Sequence, residues 1–147
     1  MKFGEYILNT TETYEGLGEL FTRNDAESSG EEDVSTDIIK MWEARHNGEL
    51  VGGCILAMRE GRYIINGIAV DEEHRGTKLG KFLLDTAVDE MKKRGGQELY
   101  IVARLPGFYR KQGFTGIPKD EAPRFFECFG CPQYNVSCFP EIMRLVV

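Results

Sequence analysis

The chain has 147 residues, of which 24 are acidic and 18 are basic, so its formal net charge is −6. This acidic balance opposes unspecific binding to nucleic acid or to an anionic membrane surface. A chain of this length buries about 68–70% of its unfolded surface, so we predict a single domain over residues 1–147. The sequence contains no run of the roughly 18 apolar residues that a membrane span needs, and it does not begin like a signal peptide. We therefore expect a cytoplasmic protein.

The hydrophobic pattern predicts alternating strands and helices. Asn47-Gly48 is the strongest hairpin signal, and Gly95-Gly96 ends a helix whose apolar residues repeat at helical spacing. Residues 24–37 are rich in Asp, Glu and Ser, which predicts an exposed loop or short helix that could cover a substrate site. The predicted strands are residues 2–8, a strand from Ile38, Leu50–Met58, Tyr63–Val70, Leu99–Ala103 and Glu141–Val147; the predicted helices are residues 11–23, with Leu17, Leu20 and Phe21 inward, Leu79 to Met91, and a short helix at Tyr109.

The most informative segment is residues 68–84, where an apolar strand passes through a polar loop into an amphipathic helix. Backbone N–H groups at a helix N-terminus lack intrahelical acceptors, and the helix dipole adds partial positive charge there, so this point suits a phosphate. An ordinary connection with a solvated basic rim is the structural alternative. Two glycines permit close approach of a ligand and three basic residues add positive charge: Gly76, Gly80, Arg75, Lys78 and Lys81.

This segment matches neither of two familiar phosphate-binding motifs. The spacing of the Walker motif is absent, and so is the dinucleotide-binding motif G-x-G-x-x-G. The run from Ile68-Ala69-Val70 to Arg75-Gly76-Thr77-Lys78-Leu79-Gly80 instead resembles motif A of the GNAT superfamily of N-acetyltransferases, in which R-G-x-G-x-G leads into a helix. Lys78 occupies the position of the middle glycine. The other motif positions, Arg75, Gly76, Leu79 and Gly80, match.

A second run, Leu99–Phe114, resembles motif B of the same superfamily. An apolar strand is followed by a short helix that carries F-Y-x-K-x-G-F, and Gly113 lies where a helix C-terminus tolerates a positive φ. The asparagine that the family often places before this element is missing. Two motifs in this order make the resemblance much stronger than either alone, and it spans about residues 38–114.

The resemblance implies an α/β (α+β) GNAT fold, with a mixed, mostly antiparallel central sheet, flanking helices and one splayed pair of parallel strands. These are Tyr63–Val70 and Leu99–Ala103, and the pantetheine arm of acetyl-CoA, the acetyl donor substrate, would lie between them. Backbone groups of Ile68, Ala69 and Val70 would pair with the pantetheine amides, and an N–H near Ile68 would polarise the thioester carbonyl. The pyrophosphate would be held by the amides of Arg75, Gly76, Thr77, Lys78, Leu79, Gly80 and Lys81.

The implied reaction is direct attack of a primary amine, carried by an unidentified small molecule or peptide, on the thioester. Tyr109 resembles the family tyrosine that protonates the departing thiolate, and a phenol keeps its proton at neutral pH. A lysine amine has a pKa of about 10.4 and is almost wholly protonated at neutral pH, so the amine must lose a proton before it can attack. The family's carboxylate position falls at about Ile64, which cannot act as a base. Glu98, Glu43, Glu127, His46 and a water relay remain alternatives, so no base is assigned.

The cysteines raise the question of a metal site. Cys54 lies in an apolar strand and is expected to be a core residue. Cys128, Cys131 and Cys138 form C-x2-C-x6-C with no histidine nearby in sequence, so we expect no bound metal and thiols that are free or reversibly oxidised.

Two other classes of function stay open at this stage. One is a regulatory module that binds acyl-CoA without turnover, and the other is a small metal-binding interaction protein built around the cysteines. Release of free thiol separates the first from an enzyme, and metal analysis tests the second. The sequence also leaves open a homodimer.

Overall fold

The computed structural model describes residues 2–24, 37–103, 106–117 and 141–147, and these form eight strands and three helices. A short 3-10 turn, Glu72–His74, follows the fifth strand. In chain order the elements are β1 (Lys2–Phe3), β2 (Tyr6–Thr11), α1 (Glu15–Arg23), β3 (Asp37–His46), β4 (Glu49–Arg59), β5 (Arg62–Val70), α2 (Leu79–Lys93), β6 (Glu98–Ala103), α3 (Pro106–Lys111), β7 (Thr115–Gly116) and β8 (Glu141–Val146).

All eight strands form one sheet in the order β1-β2-β3-β4-β5-β6-β8-β7. The pair β5 and β6 is parallel, whereas every other neighbouring pair among the described strands is antiparallel. A helix, α2, connects the two parallel strands, as a crossover between parallel strands requires. The predicted mixed sheet with a parallel pair and flanking helices is therefore confirmed.

Helices cover both faces of the sheet, and two consecutive glycines of β4 show how closely they pack. A Cβ on Gly52 would lie 3.2 Å from Leu79 of α2, whereas a Cβ on Gly53 would overlap Leu17 of α1. Successive strand residues point to opposite faces of the sheet, so Gly52 makes room for α2 on one face and Gly53 makes room for α1 on the other. The inward side of α1 is formed by Leu17, Leu20 and Phe21, as predicted, and each is at most 1% exposed.

One irregularity interrupts the pairing of β4 with β5. Ile55 lies opposite Gly67, but Leu56 lies opposite Ile65, so Asn66 is an additional residue in β5. This β-bulge bends the strand at the point where β5 begins to separate from β6.

The boundaries near the N-terminus differ from the predicted ones. The predicted strand over residues 2–8 is two strands, because Gly4 adopts φ +57° in a turn between them. Helix α1 begins at Glu15 and not at residue 11, since Thr11 still pairs with Met41 of β3. Of the predicted loop over residues 24–37, residues 25–36 lie outside the described part of the chain.

None of the described helices is long and apolar enough to span a membrane.

Candidate active site

The parallel strands β5 and β6 are paired over only a short distance. Tyr63 lies opposite Leu99 and Ile64 opposite Tyr100, and beyond these two pairs the strands separate. We call the space beyond them, between residues 66–70 of β5 and residues 101–103 of β6, the strand gap. Among the described strands only β4 pairs with this part of β5, so the other edge of β5 is available there to a ligand that forms hydrogen bonds with a strand.

Backbone alternation decides which residues of β5 face the strand gap. The N–H of Asp71 donates to the carbonyl of Val51 on β4 at 2.8 Å. In an antiparallel pair the bonded residues alternate, so Ala69 turns its amide and carbonyl to Gly53, while Ile68 and Val70 turn theirs to the gap. Of the three residues predicted to bind pantetheine, Ile68 and Val70 therefore present backbone groups there.

The loop after β5 ends in a left-handed turn at the start of α2. Gly76 has φ +83°, and Lys78, which precedes the first residue of α2, has φ +68°. A left-handed non-glycine residue costs roughly 1–2 kcal/mol, which explains why a glycine suits this position. Lys78 nevertheless adopts this conformation, so it does not disrupt the loop.

This turn leaves a series of backbone amides without internal acceptors. The first α-helical bond of α2 runs from the N–H of Phe82 to the carbonyl of Lys78 at 3.0 Å. Within the described residues, the amides of residues 76–81 donate to no other group, whereas the amide of Arg75 donates to the carbonyl of Glu72. Six of the seven amides predicted to hold a pyrophosphate are thus available to an anion.

Side chains around the loop hold it in position and contribute positive charge to it. The guanidinium of Arg75 donates to the carbonyl of Val70 at 3.0 Å and to Asn24 at 3.1 Å, so it ties the loop to the end of β5. Lys81 forms an exposed ion pair with Asp85 at 2.7 Å. The exposed Lys78 has no ion-pair partner within the described residues.

Asp71 connects the end of α1 to this loop. Its carboxylate accepts two hydrogen bonds from Arg23, at 3.0 and 2.7 Å, and one from Asn24 at 2.8 Å. The hydrogen bonds from Arg23 lower the pKa of the Asp71 carboxyl, and the bond from Asn24 acts in the same direction. The network holds the C-terminus of α1 beside the candidate phosphate-binding loop.

We expect Asp71→Asn to lower the free energy of unfolding by about 1 kcal/mol at pH 7. The loss is small because the side chains of Asp71 and Arg23 are both partly exposed. The folded pKa of Asp71 lies below its unfolded value of about 3.9, so the carboxylate stabilises the fold above that value and loses this effect as the pH falls through the folded pKa. Urea unfolding at pH 7 and in acid should show a difference between the proteins that shrinks below about pH 4. The control Asp85→Asn, which removes an exposed helix pair, should change stability by less than half as much.

Helix α3 brings aromatic residues to the mouth of the strand gap. Phe108 faces the first turn of α2, since a Cβ on Gly80 would lie 3.7 Å both from its ring and from Val70. The ring of Tyr109 packs edge-on against Phe108 at 5.0 Å and against Phe114 at 5.7 Å between centroids. Gly113, with φ +96°, ends the helix as predicted.

The hydroxyl of Tyr109 has no hydrogen-bond partner within the described residues, although its ring is half-buried. Burial raises the pKa of this phenol, and the nearby Cys54 raises it further. Cys54 is fully buried on β4, as predicted, and burial raises the pKa of its thiol too. Tyr109 therefore keeps its proton, and a thiolate formed in these surroundings is a stronger base than one in water.

None of the described base candidates lies beside the strand gap. Glu43 is on β3 and accepts from Arg45 at 3.0 Å, and Glu98 is at the start of β6, before the strands separate. His46 contacts Glu5 at 3.3 Å at the end of β3. Glu127 lies outside the described residues.

Sequence reasoning missed that the two histidines lie together. The rings of His46 and His74 are 5.0 Å apart between centroids, and the hydroxyl of Tyr6 is 2.9 Å from His74 Nδ1. This contact depends on strand pairing, and no local pattern predicts it. It does not create a metal site, because no group of three or more metal-binding side chains occurs in the described part of the chain. Cys128, Cys131 and Cys138 lie outside that part.

Sequence reasoning also missed a buried polar pair, Arg59 and Asn66, on the face of the sheet that carries α1. The side chains are 1% and 7% exposed, and Arg59 Nη2 donates to Asn66 Oδ1 at 3.3 Å. The available signal was the turn at Glu60-Gly61, which places Arg59 and Arg62 opposite each other.

The parallel strands β5 and β6 separate toward the N-terminus of α2, which is the arrangement that the resemblance to GNAT acetyltransferases implied. The acetyltransferase (GNAT) family matches residues 8–114, so the chain belongs to this family. It is 26% identical over 135 residues to an uncharacterized N-acetyltransferase of Chlorobaculum tepidum, covering 90% of this chain and 83% of that protein.

Solved structures show the same fold at low sequence identity. An acetyltransferase from Streptococcus agalactiae is 14% identical with a TM-score of 0.70, over 99% of this chain and all of the other. A GNAT family acetyltransferase from Elizabethkingia anophelis, solved with acetyl-CoA bound, is 16% identical with a TM-score of 0.61 and the same coverage.

Proposed function

We propose that this protein is an N-acetyltransferase that transfers the acetyl group of acetyl-CoA to a primary amine. The observation that carries the proposal is the strand gap at the end of β5, followed at the start of α2 by six backbone amides that have no acceptor within the described residues. Family membership and the acetyl-CoA bound to a structural neighbour support this choice of donor. The whole chain would act as one catalytic domain.

The described residues fit the parts of acetyl-CoA in order. Amides of residues 76–81 would hold the pyrophosphate, with Lys78 and Lys81 adding positive charge. The backbone groups of Ile68 and Val70 that face the gap would pair with the pantetheine arm. Ala69 would support this edge by its bonds to β4, and Arg75 by its bond to the carbonyl of Val70.

Acetyl-CoA supplies an activated acetyl group in the form of a thioester. The N–H of Ile68 would donate to the carbonyl oxygen, where negative charge develops as the amine attacks. A C–N bond forms and the C–S bond breaks. Tyr109 would give its phenolic proton to the departing sulfur, and solvent would return a proton to the phenolate. The proton lost by the amine would pass to water, since no described carboxylate lies beside the gap.

Two measurements test this proposal. We expect a calorimetric titration to show acetyl-CoA binding, and the melting temperature to rise with its concentration because the ligand binds the folded state. A panel of primary amines should then release free coenzyme A thiol. Absence of binding would overturn the proposal. Binding without thiol release for any amine would favour the regulatory module instead.

We also propose a cytoplasmic location, in which the reduced state of Cys54 is maintained. The acceptor class would be a small-molecule or peptide amine. Nucleic acid and membrane surfaces are disfavoured as partners by the net charge of −6.

A further inference from the structure

Asn24 follows the last residue of α1, and its side chain joins three parts of the chain. Its amide nitrogen donates to the carbonyl of Leu20 at 2.9 Å, within α1, and to the Asp71 carboxylate at 2.8 Å. Its amide oxygen accepts from the guanidinium of Arg75 at 3.1 Å. An amide carries two N–H donors and a carbonyl acceptor, so a single asparagine can bind a carboxylate and a guanidinium together. Asn24 therefore connects α1 to both sides of the turn Glu72–His74.

The charges of its two partners fix the orientation of the Asn24 amide. A carboxylate only accepts hydrogen bonds, whereas a guanidinium only donates them. Turning the amide over would place its oxygen against Asp71 and its N–H groups against Arg75, and both contacts would be repulsive. Arg23 reinforces this arrangement, because its two bonds to Asp71 hold the carboxylate in place. The contact between Asn24 and Arg75 is therefore specific in direction as well as in distance.

Arg75 carries this contact to the candidate cofactor site. The guanidinium donates through Nε to the carbonyl of Val70 at 3.0 Å and through Nη2 to Asn24. The guanidinium is planar and rigid, so two bonds from neighbouring nitrogens fix the position of the whole group. Val70 turns its carbonyl to the strand gap, and Gly76, the residue after Arg75, provides the first of the six amides at the start of α2. Arg75 thus lies between the end of the gap and these amides.

We propose that Asn24 is a positioning residue for acetyl-CoA. It acts through Arg75, which it holds in the orientation that presents the Val70 carbonyl and the amides of residues 76–81 to the ligand. The inference rests on the proposed function and extends it, because the C-terminus of α1 becomes part of the cofactor site. Hydrogen bonds to charged groups are stronger than neutral ones, and bonds in a chain polarise one another. A loop held in its binding form before the ligand arrives loses less conformational freedom on binding.

The first test measures acetyl-CoA binding by Asn24→Ala. We expect its calorimetric dissociation constant to be about 3- to 10-fold higher than that of wild type, the range that corresponds to one net hydrogen bond. At saturating acetyl-CoA, kcat should stay within about twofold of wild type, because the backbone N–H of Ile68 and the hydroxyl of Tyr109 are unchanged. The loss should therefore appear in the KM for acetyl-CoA and not in kcat.

Arg23→Gln is the matched control. Arg23 precedes Asn24, donates to the same carboxylate and also to the carbonyl of Leu50, but among the described residues it has no hydrogen bond to Arg75. Both replacements should lower the melting temperature by a few degrees. Only Asn24→Ala should weaken acetyl-CoA binding. Equal losses of affinity in the two variants would overturn the inference, because the effect would then follow a general loosening of α1.

A double-mutant cycle tests the route through Arg75. Arg75→Met removes the guanidinium and keeps a long side chain, and it should weaken acetyl-CoA binding at least as much as Asn24→Ala does. The double variant should bind no more weakly than Arg75→Met alone, because Asn24 has no further effect once its partner is gone. Effects that add in the double variant would show that the two residues act independently and would overturn the inference.

Hydrogen exchange in the wild-type protein covers the case in which a variant does not fold. Coupling between two sites is reciprocal, so saturating acetyl-CoA should slow exchange of the Asn24 backbone amide by about 3- to 10-fold. This amide donates to the carbonyl of Leu20 at 3.2 Å, and the control is the Arg94 amide at the end of α2, which donates to Glu90 at 3.3 Å. Exchange at Arg94 should change by less than about twofold. Equal slowing at both helix ends, or none at Asn24, would contradict the proposed coupling.

The outcomes also separate this inference from the proposed function. If wild type binds acetyl-CoA and releases thiol but Asn24→Ala has the same dissociation constant, the role of Asn24 is overturned and the acetyltransferase proposal stands. Absence of acetyl-CoA binding to wild type would overturn both.

Discussion

Tyr109→Phe is expected to lower kcat by about 10²- to 10⁴-fold, the usual contribution of general acid catalysis. The substitution removes only the hydroxyl, which has no hydrogen-bond partner within the described residues. The ring contacts with Phe108 and Phe114 remain, so the fold and acetyl-CoA affinity should change little. A loss of kcat with affinity preserved within a few fold is the signature of an interaction made mainly in the transition state.

The pKa of Tyr109 adds a pH criterion. Burial raises it above the ordinary phenol value of about 10, so the proton donor persists throughout the neutral and mildly alkaline range. Loss of this proton should therefore not lower wild-type kcat between pH 7 and pH 9. Any fall in kcat over that range should also occur in Tyr109→Phe. Titration of the acceptor amine, by contrast, should raise the rate with pH in both proteins.

Tyr109→Ala is the control for a structural role. If the ring only packs, Phe will be close to neutral, and Ala alone will damage the protein through lost burial. Wild-type kcat in Tyr109→Phe would remove the residue from the mechanism. Single-turnover kinetics would first have to show that chemistry limits the rate in both proteins, because slow product release can hide a slower chemical step.

The sequence predicted the architecture well because its signals there are local. Apolar runs, the Asn47-Gly48 hairpin and the helical spacing after Leu79 depend on neighbouring residues, and the structure has strands and a helix at these places. Gly4 shows the limit of such signals, since a single turn residue divides a predicted strand into two. The family match to residues 8–114 confirms the resemblance drawn from two motifs.

The parts of the candidate site that sequence did not predict depend on strand register. Whether Ala69 faces β4 or the strand gap is fixed by the bond between Asp71 and Val51, which no periodicity specifies. The contact of His46 with His74 and the burial of Arg59 have the same origin. Pairing brings residues that are far apart in sequence together, and a shift of one residue would exchange their faces.

The loop at the start of α2 provides the second large expected effect. We expect Gly80→Val to weaken acetyl-CoA binding by about 10- to 100-fold, the cost of losing charge-assisted contacts to backbone amides. A Cβ at Gly80 has ordinary contacts at 3.7 Å with Phe108 and Val70, so the chain itself has room for a side chain. The two methyl groups of valine would instead fill the passage from the strand gap to the phosphate-binding amides.

Stability separates this effect from unfolding. Valine has a higher helix propensity than glycine, so Gly80→Val should melt within a few degrees of wild type in the absence of ligand. Gly80→Ala should weaken acetyl-CoA binding less than Gly80→Val does, because it adds one carbon and not three. Calorimetric dissociation constants and unliganded melting temperatures for the three proteins decide the matter. Wild-type affinity for acetyl-CoA in Gly80→Val would contradict the placement of the pyrophosphate. A large drop in melting temperature would instead assign the loss of binding to unfolding, because steric exclusion of the ligand requires a folded site.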